Sequence, residues 1–207
     1  VYSGQVCICV QRAYIHASQY NEFVENLINE TKAFKHGDPL DASITMGPMI
    51  DQDNAIRIES WVNDALSAGA NVLTGGKRDG SFYPPTVLAD VDPKLPVSCN
   101  EAFGPVLILN SYTNYSDAVE KVNNTSFGLQ AGIFTNKMDK ILTGFNKLDV
   151  GGVVVNDVPT FRVDNMPYGG IKDSGFGREG IKYSLEEMTE IKLLVYDHHL
   201  ENEIQHD

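Results

Sequence analysis

A cysteine near the start of the chain is the first side chain with the chemistry of a nucleophile. Cys7 follows the tripeptide Gly-Gln-Val and directly precedes a stretch of strand character. A flexible glycine before a strand allows a loop to present a thiol at a cleft, and the thiolate is the reactive form of cysteine. Free cysteines are nevertheless among the most buried residue types, so a lone cysteine is more often inert than reactive. Cys7 becomes a functional candidate only in the company of other motifs.

A carboxylate and an aromatic ring flank a rigid turn in the middle of the chain. The sequence Glu-Ala-Phe-Gly-Pro-Val covers residues 101–106 and leads into an apolar stretch. Glu101 can accept hydrogen bonds from ribose hydroxyls, and Phe103 can pack against a flat ring. Taken alone, the motif is more typical of a solvated turn with a core phenylalanine, so it also needs companions.

A long glycine-rich segment covers residues 167–180, and it predicts a loop that is shaped by a specific neighbour. The segment contains a formal G-x-G-x-x-G at Gly175, Gly177 and Gly180. A pyrophosphate-binding turn must directly follow a strand and needs an acidic residue about twenty positions later, and neither condition is met here. The chain also has no Walker loop, His-Glu-x-x-His motif or nucleophile elbow, so no metal site is predicted.

The elements that must position these residues alternate between strand and helix. Hydrophobic periodicity predicts the following segments. Strands are expected at residues 9–16, 71–76, 86–88, 105–109, 130–135 and 152–156, and helices at residues 20–31, 56–66, 115–123 and 137–147. This alternation, without short hairpin signals, predicts an α/β fold with an open, twisted, mainly parallel sheet and helices on both faces. A last strand is predicted over residues 189–196, and it either caps its own sheet or pairs with another subunit.

Composition narrows the classes of partner and compartment. The formal net charge is -12, with 16 basic and 28 acidic residues, which argues against nucleic acid as a partner. No apolar run approaches the length of a membrane span, and the three cysteines have no disulfide spacing, so we expect a cytoplasmic protein with reduced thiols. The chain begins at Val1 without a signal-peptide pattern, and we therefore expect it to be a fragment of a longer protein.

Four motifs, taken in order, resemble the aldehyde dehydrogenase superfamily. They are Gly-Gln-Val-Cys at residues 4–7, Glu-Ala-Phe-Gly-Pro-Val at 101–106, Asn-Thr-Ser-Phe-Gly-Leu at 124–129 and Pro-Tyr-Gly-Gly-Ile-Lys-Asp-Ser-Gly at 167–175. The resemblance implies that residues 1–187 form the domain that carries the catalytic cysteine. It also implies that residues 188–200 form a terminal strand and tail that join subunits, in a parent enzyme that is a homodimer or homotetramer. The resemblance further implies that the upstream NAD(P)-binding domain of such enzymes is not part of this chain.

The same resemblance assigns roles to single residues. Cys7 matches the thiol that attacks a small-molecule aldehyde, and oxidation of the adduct by NAD or NADP leads to a carboxylic acid. Glu101 matches the acid that bonds the nicotinamide ribose, and Phe103 matches the ring beside the nicotinamide. Phe161 and Arg162 fall in the substrate-entrance loop, where Arg162 pairs with an anionic substrate group or forms an ordinary ion pair. The general base and the oxyanion asparagine of the family precede the cysteine, so we expect the isolated chain to be inactive.

Two other readings stay open from the residues alone. One is a non-catalytic protein with the same fold, because a fold can be kept after its catalytic activity is lost. A related cysteine enzyme that forms a thioester, such as a hydrolase or a reductase of acyl phosphates, uses the same nucleophile. The sequence before Cys7 would discriminate, since a glycine-bearing cofactor turn is expected there only for a dehydrogenase.

Overall fold

The computed structural model describes residues 2–197, so Val1 and residues 198–207 lie outside the description. The helices of this part are α1 (Tyr20–Lys32), α2 (Gln52–Ser67), α3 (Pro96–Cys99), α4 (Tyr115–Asn123), α5 (Met138–Lys147) and α6 (Ile181–Glu187). The strands are β1 (Arg12–His16), β2 (Asn71–Thr74), β3 (Thr86–Ala89), β4 (Val106–Tyr112), β5 (Phe127–Gly128), β6 (Gln130–Ile133), β7 (Gly152–Val155) and β8 (Ile171–Lys172). None of the described helices is long and apolar enough to cross a membrane.

The main sheet has four strands in the order β1-β4-β3-β2. β1 and β3 both run parallel to β4, and β2 is antiparallel to β3. A second parallel pair joins β6 to β7, and the short strands β5 and β8 pair antiparallel. The α/β, mainly parallel architecture is therefore confirmed. The described strands are divided between this four-stranded sheet and two separate two-stranded pairs.

Helices pack on both faces of the main sheet. Val106 and Ile108 of β4 share a buried cluster with Ile58 and Val62 of α2. Leu109, the next residue of β4, borders a groove with residues of α1. Because neighbouring side chains on a strand point to opposite faces, α1 and α2 cover opposite sides of the sheet.

Helix α2 begins where its sequence provides a cap. The Asp51 carboxylate accepts a hydrogen bond from the Asn54 amide at 2.7 Å, which satisfies one of the free donors at the helix start. The same bond, with the Asn54 side chain, holds the pKa of Asp51 below its usual value. The predicted helix began at residue 56, and the difference arises because the first turn of α2 has no apolar periodicity.

The predicted C-terminal strand is not formed among the described residues. Residues 190–197 follow α6 without a strand, and the Ile191 side chain is 98% exposed. A strand needs a hydrogen-bonded neighbour, and β propensity alone does not provide one. The idea that this segment caps its own sheet is therefore wrong for the described part, and the predicted tail from 198 to 200 lies outside the described residues.

The core around α2 sets the expected stability effect of single substitutions. Ile58 is fully buried (0% exposed), whereas Ile56 on the same helix is 43% exposed. We expect Ile58→Ala to lower the free energy of unfolding by about 3 kcal/mol, because it removes apolar contacts and leaves a cavity. Ile56→Ala, the matched control, should cost less than about 1 kcal/mol. Urea unfolding of the complete protein measures both, and equal losses would contradict this description of the core.

Candidate active site

The loop that carries Cys7 packs directly against the turn that carries Glu101. Gly4 has a positive φ of 74°, and a Cβ atom at this position would collide with the carbonyl group of Gly104. Only glycine combines this backbone conformation with such a close approach. The first two motifs of the sequence, about a hundred residues apart, are therefore in backbone contact.

Side chains on the cysteine loop fix it to a neighbouring turn. The Gln5 side-chain oxygen accepts a hydrogen bond from the Ile50 amide at 2.7 Å, and its Nε2 donates to the Pro48 carbonyl at 3.4 Å. The Ser3 hydroxyl, which is buried, donates to the Gly47 carbonyl at 2.7 Å. The loop is thereby held on the side away from Cys7, and the Cys7 side chain remains exposed.

The turn at residues 101–104 is held from both sides by residues that the sequence analysis missed. The buried Ala102 donates its amide hydrogen to Gln11 Oε1 and accepts a hydrogen bond at its carbonyl from Arg57 Nη2, both at 2.9 Å. Glu101 is exposed, and Phe103 is partly exposed at a positive φ of 46°. Such strain is tolerated where the surroundings fix the backbone, as Gln11 and Arg57 do here.

The third and fourth motifs form a second contact pair. Phe127 and Gly128 of β5 lie opposite Lys172 and Ile171 of β8. The Ser174 hydroxyl also accepts a hydrogen bond from the Gly128 amide at 2.9 Å. The glycine-rich segment is thus shaped by a specific neighbour, as predicted, although its two-residue strand was missed.

One side-chain contact joins the two pairs of motifs. The Sγ atom of Cys7 lies 2.8 Å from the hydroxyl oxygen of Tyr168, which belongs to the fourth motif. The guanidinium of Arg162 lies over the Tyr168 ring, 4.5 Å from its centre, and forms an ion pair with Glu179 at 3.1 Å. Cys7 and Arg162 are therefore brought to the same tyrosine, and no sequence pattern had singled out Tyr168.

A cavity of about 1000 Å³ opens beside this contact. Its lining includes Cys7 and Glu101, together with β1 and β6. Phe103, Arg162 and Phe161 are not among the lining residues, and the Phe161 side chain is 49% exposed. The structure therefore brings Cys7 and Glu101 to the cavity and Arg162 to the ring of Tyr168, whereas Phe103 and Phe161 lie outside the cavity lining.

The other two cysteines differ from Cys7 in their surroundings. Cys9 is half-buried, and its thiol points to the Val10 carbonyl. Because burial disfavours the charged thiolate, it raises the pKa of the Cys9 thiol. The Cys99 thiol donates to the Lys94 carbonyl at 3.3 Å. Within residues 2–197, no group of three potential metal ligands comes together. The exposed thiol in the cavity is that of Cys7.

Comparison with known proteins identifies the family. The model of the aldehyde dehydrogenase family matches residues 1–194, and the chain therefore belongs to this family. It is 45% identical to 3-sulfolactaldehyde dehydrogenase of Priestia aryabhattai, over 93% of this chain and 40% of that protein.

Two solved structures share the fold closely. Aldehyde dehydrogenase 21 from Physcomitrella patens, in complex with the reaction product succinate, superimposes with a TM-score of 0.92 at 45% identity, over 94% of this chain and 40% of that one. Glyceraldehyde-3-phosphate dehydrogenase GapN from Methanocaldococcus jannaschii, in complex with NADP, gives a TM-score of 0.88 at 42% identity, over 93% and 42% of the two chains. The chain thus spans about 40% of the length of these relatives.

The role of Gln11 in holding the turn can be measured directly. We expect Gln11→Leu to leave the buried Ala102 amide without its acceptor and to accelerate its hydrogen exchange about tenfold or more. Gln52→Leu, at an exposed position at the start of α2, serves as the control. Unchanged exchange at Ala102 in the Gln11 variant would show that another group fixes this turn.

Proposed function

We propose that the complete protein oxidises a small-molecule aldehyde to a carboxylic acid with NAD⁺ or NADP⁺, and that Cys7 is its nucleophile. The observation that carries the proposal is the exposed Cys7 thiol, which shares a cavity with Glu101. Family membership supports the reaction class. The half-buried Cys9 thiol donates to the carbonyl of the neighbouring Val10 at 3.8 Å, which argues against Cys9 as the nucleophile. Retention of Cys7, Glu101 and Phe103 together favours an enzyme over a non-catalytic scaffold.

Cys7 carries the organic part of the reaction. Its thiolate adds to the aldehyde carbon, which forms a carbon–sulfur bond and a tetrahedral thiohemiacetal. Departure of a hydride from this carbon leaves an acyl thioester on Cys7. Water then attacks the thioester carbon, which breaks the carbon–sulfur bond, releases the carboxylic acid and restores the thiol. The exposure of Cys7 allows both the aldehyde and the water to reach the sulfur.

The residues around Cys7 fit a dinucleotide. Bound NAD⁺ or NADP⁺ would supply the hydride acceptor. The exposed Glu101 carboxylate offers acceptors for ribose hydroxyls, and Phe103 presents a partly exposed ring from a strained backbone position. The related GapN structure contains NADP, which supports this class of cofactor.

Arg162 supports an aldehyde that carries a second, anionic group. Its ion pair with Glu179 is solvent-exposed, with side-chain exposures of 44% and 67%, and such pairs contribute about 1 kcal/mol or less. An incoming carboxylate or sulfonate can therefore replace Glu179 at little cost. Two relatives point the same way, since one is named for 3-sulfolactaldehyde and the other holds succinate. Phe161, the neighbour of Arg162 in this loop, is proposed to wall the substrate entrance.

Assembly and compartment are further parts of the proposal. The apolar side chains Ile191, Leu193 and Leu194 are largely exposed at the end of the described chain. Burial of such residues against a second copy would stabilise a homodimer or homotetramer. The reduced cysteines favour a cytoplasmic location.

Cys7 can be tested by substitution and by alkylation. We expect Cys7→Ser in the complete protein to lower kcat by at least about a thousandfold, because a hydroxyl is a far weaker nucleophile at neutral pH. Cys99→Ser, the control, should keep most of the activity. Iodoacetamide should modify Cys7 first, with activity lost in step and protection by NAD⁺ and aldehyde. Faster labelling of Cys9 or Cys99 with full activity would refute the assignment.

Arg162 can be tested with substrates that differ in charge. We expect Arg162→Leu to lower kcat/KM for succinic semialdehyde by about tenfold to hundredfold, since a charged hydrogen bond contributes about 1.5–3 kcal/mol. The value for propanal, which has no anionic group, should fall by no more than about fivefold, the part that reflects the lost contact of Arg162 with the Tyr168 ring. Equal losses for both aldehydes would mean that Arg162 serves the structure and not the substrate.

A further inference from the structure

Tyr168 is a buried residue whose hydroxyl contacts the cysteine of the cavity. The residue is 6% exposed, and its backbone exchanges two hydrogen bonds with Glu179, at 3.0 and 2.6 Å. The Arg162 guanidinium covers one face of its ring. The hydroxyl oxygen lies 2.8 Å from the Cys7 sulfur, within hydrogen-bond distance. The backbone bonds and the Arg162 contact together hold the Tyr168 ring in one position. The hydroxyl therefore favours one position of the Cys7 sulfur, the one within hydrogen-bond distance.

The direction of the hydrogen bond follows from the ionisation of the two groups. Burial, followed by the contact with Cys7, raises the pKa of Tyr168 well above its ordinary value, and Arg162 opposes this shift only in part. The phenol therefore keeps its proton under conditions in which a thiol ionises. A thiolate has no hydrogen to donate, so the phenol must be the donor to sulfur once Cys7 is ionised.

We infer that Tyr168 is a further catalytic residue, whose hydroxyl holds the Cys7 sulfur in place and donates a hydrogen bond to its thiolate. The inference rests on the proposed role of Cys7 as nucleophile. No proton is transferred in this step, since the hydrogen stays on the phenol oxygen. The bond weakens when the sulfur loses its charge on attacking the aldehyde, and it forms again when the thioester is hydrolysed.

A hydrogen bond to the thiolate has two opposing effects on reactivity. In general, a charge-assisted hydrogen bond of ordinary strength favours the thiolate form of a cysteine over the thiol form by about tenfold. A stabilised thiolate is also less nucleophilic, by about threefold for the same change, because nucleophilicity follows basicity with a coefficient of about 0.4–0.5. With both effects combined, we expect Tyr168 to make the reaction of Cys7 with an electrophile faster at low and neutral pH. At high pH, where the Cys7 thiol is ionised in all molecules, we expect Tyr168 to make this reaction slower.

The test is the pH profile of Cys7 alkylation in the complete protein, with Tyr168 or Phe at this position. We expect Tyr168→Phe to react about threefold more slowly at neutral pH and about threefold faster at the alkaline plateau, so that the two profiles cross. The phenylalanine ring keeps the surface on which Arg162 rests, so the variant should fold. A merely structural role would change the rate in one direction at all pH values, without a crossing.

The comparison needs a control for phenol loss and for neighbouring charges. Tyr20→Phe removes a hydroxyl in the groove beside α1, outside the lining of the Cys7 cavity, and its profile should match that of the original protein. Arg162 and Glu179 face Tyr168. The other titratable or charged side chains that line the cavity beside Cys7 are Cys9, Arg12, Tyr14, His16, Glu22, Glu101, Tyr112, Tyr115 and Asp173. None of these residues is changed in either variant, so their influence cancels in the comparison.

The outcomes separate this inference from the proposed function. Crossing profiles, with kcat/KM for the aldehyde shifted to higher pH in Tyr168→Phe, support both. Superimposed profiles, in a protein whose activity still disappears when Cys7 is alkylated, overturn the role of Tyr168 alone. Survival of activity after complete Cys7 alkylation overturns the proposed function and the inference with it.

Discussion

The parallel pairing of β1 with β4 is the constraint on which the site depends. Arg12 lies opposite Ile108, and the following residues stay in register along both strands. Cys7 precedes β1 and Glu101 precedes β4 by similar numbers of residues, so a parallel pair must bring the two to the same edge of the sheet. An antiparallel pairing would place them at opposite ends. The contact of Gly4 with Gly104 then closes the remaining distance.

This geometry places the candidate site at the amino ends of its strands. Open α/β sheets commonly bind ligands outside the carboxyl ends of their strands. Here the chemistry-bearing residues lie before β1 and β4, and the glycine-rich segment reaches them from far along the chain. The site is therefore assembled from loops that enter strands, and each loop needs its own anchors. Gln5, Gln11 and Ser174 provide these anchors through bonds to backbone groups.

The sequence predicted those helices and strands whose own residues show a clear apolar pattern. Helices α1 and α4 follow from apolar spacing, and β4 follows from a continuous apolar run. The two-residue strands β5 and β8 were missed because a period of two cannot be recognised in two residues. The short helices α3 and α6 were missed for the same reason of length. The predicted C-terminal strand has no pairing partner among the described residues, since propensity does not supply one, and its pairing with another subunit stays a prediction.

The residues of the candidate site also fall into those that a local motif marks and those that only a contact between distant parts of the chain reveals. Cys7, Glu101 and Phe103 are candidates because motifs mark them, and the first two line one cavity. Tyr168 is only one residue of the fourth motif in the sequence, although its hydroxyl contacts the Cys7 sulfur. Its importance depends on a contact across 161 residues of sequence, which no window of the chain contains. Gln11 was not recognised as an anchor of the turn for the same reason. In the sequence it is an ordinary polar residue before a strand, and its partner Ala102 is 91 residues away.

Tyr168 also couples two parts of the proposed chemistry through one ring. Its edge carries the hydroxyl that contacts Cys7, and its face supports the guanidinium of Arg162. In the proposed function, the distance between the anionic group of the aldehyde and its reacting carbon is therefore set by the size of a single aromatic ring. Exchange of Glu179 for a substrate anion keeps a positive charge on the ring face, so Arg162 continues to hold the tyrosine while the substrate is bound. In the proposed function, recognition of the substrate anion by Arg162 and placement of the Cys7 nucleophile therefore depend on one and the same aromatic ring.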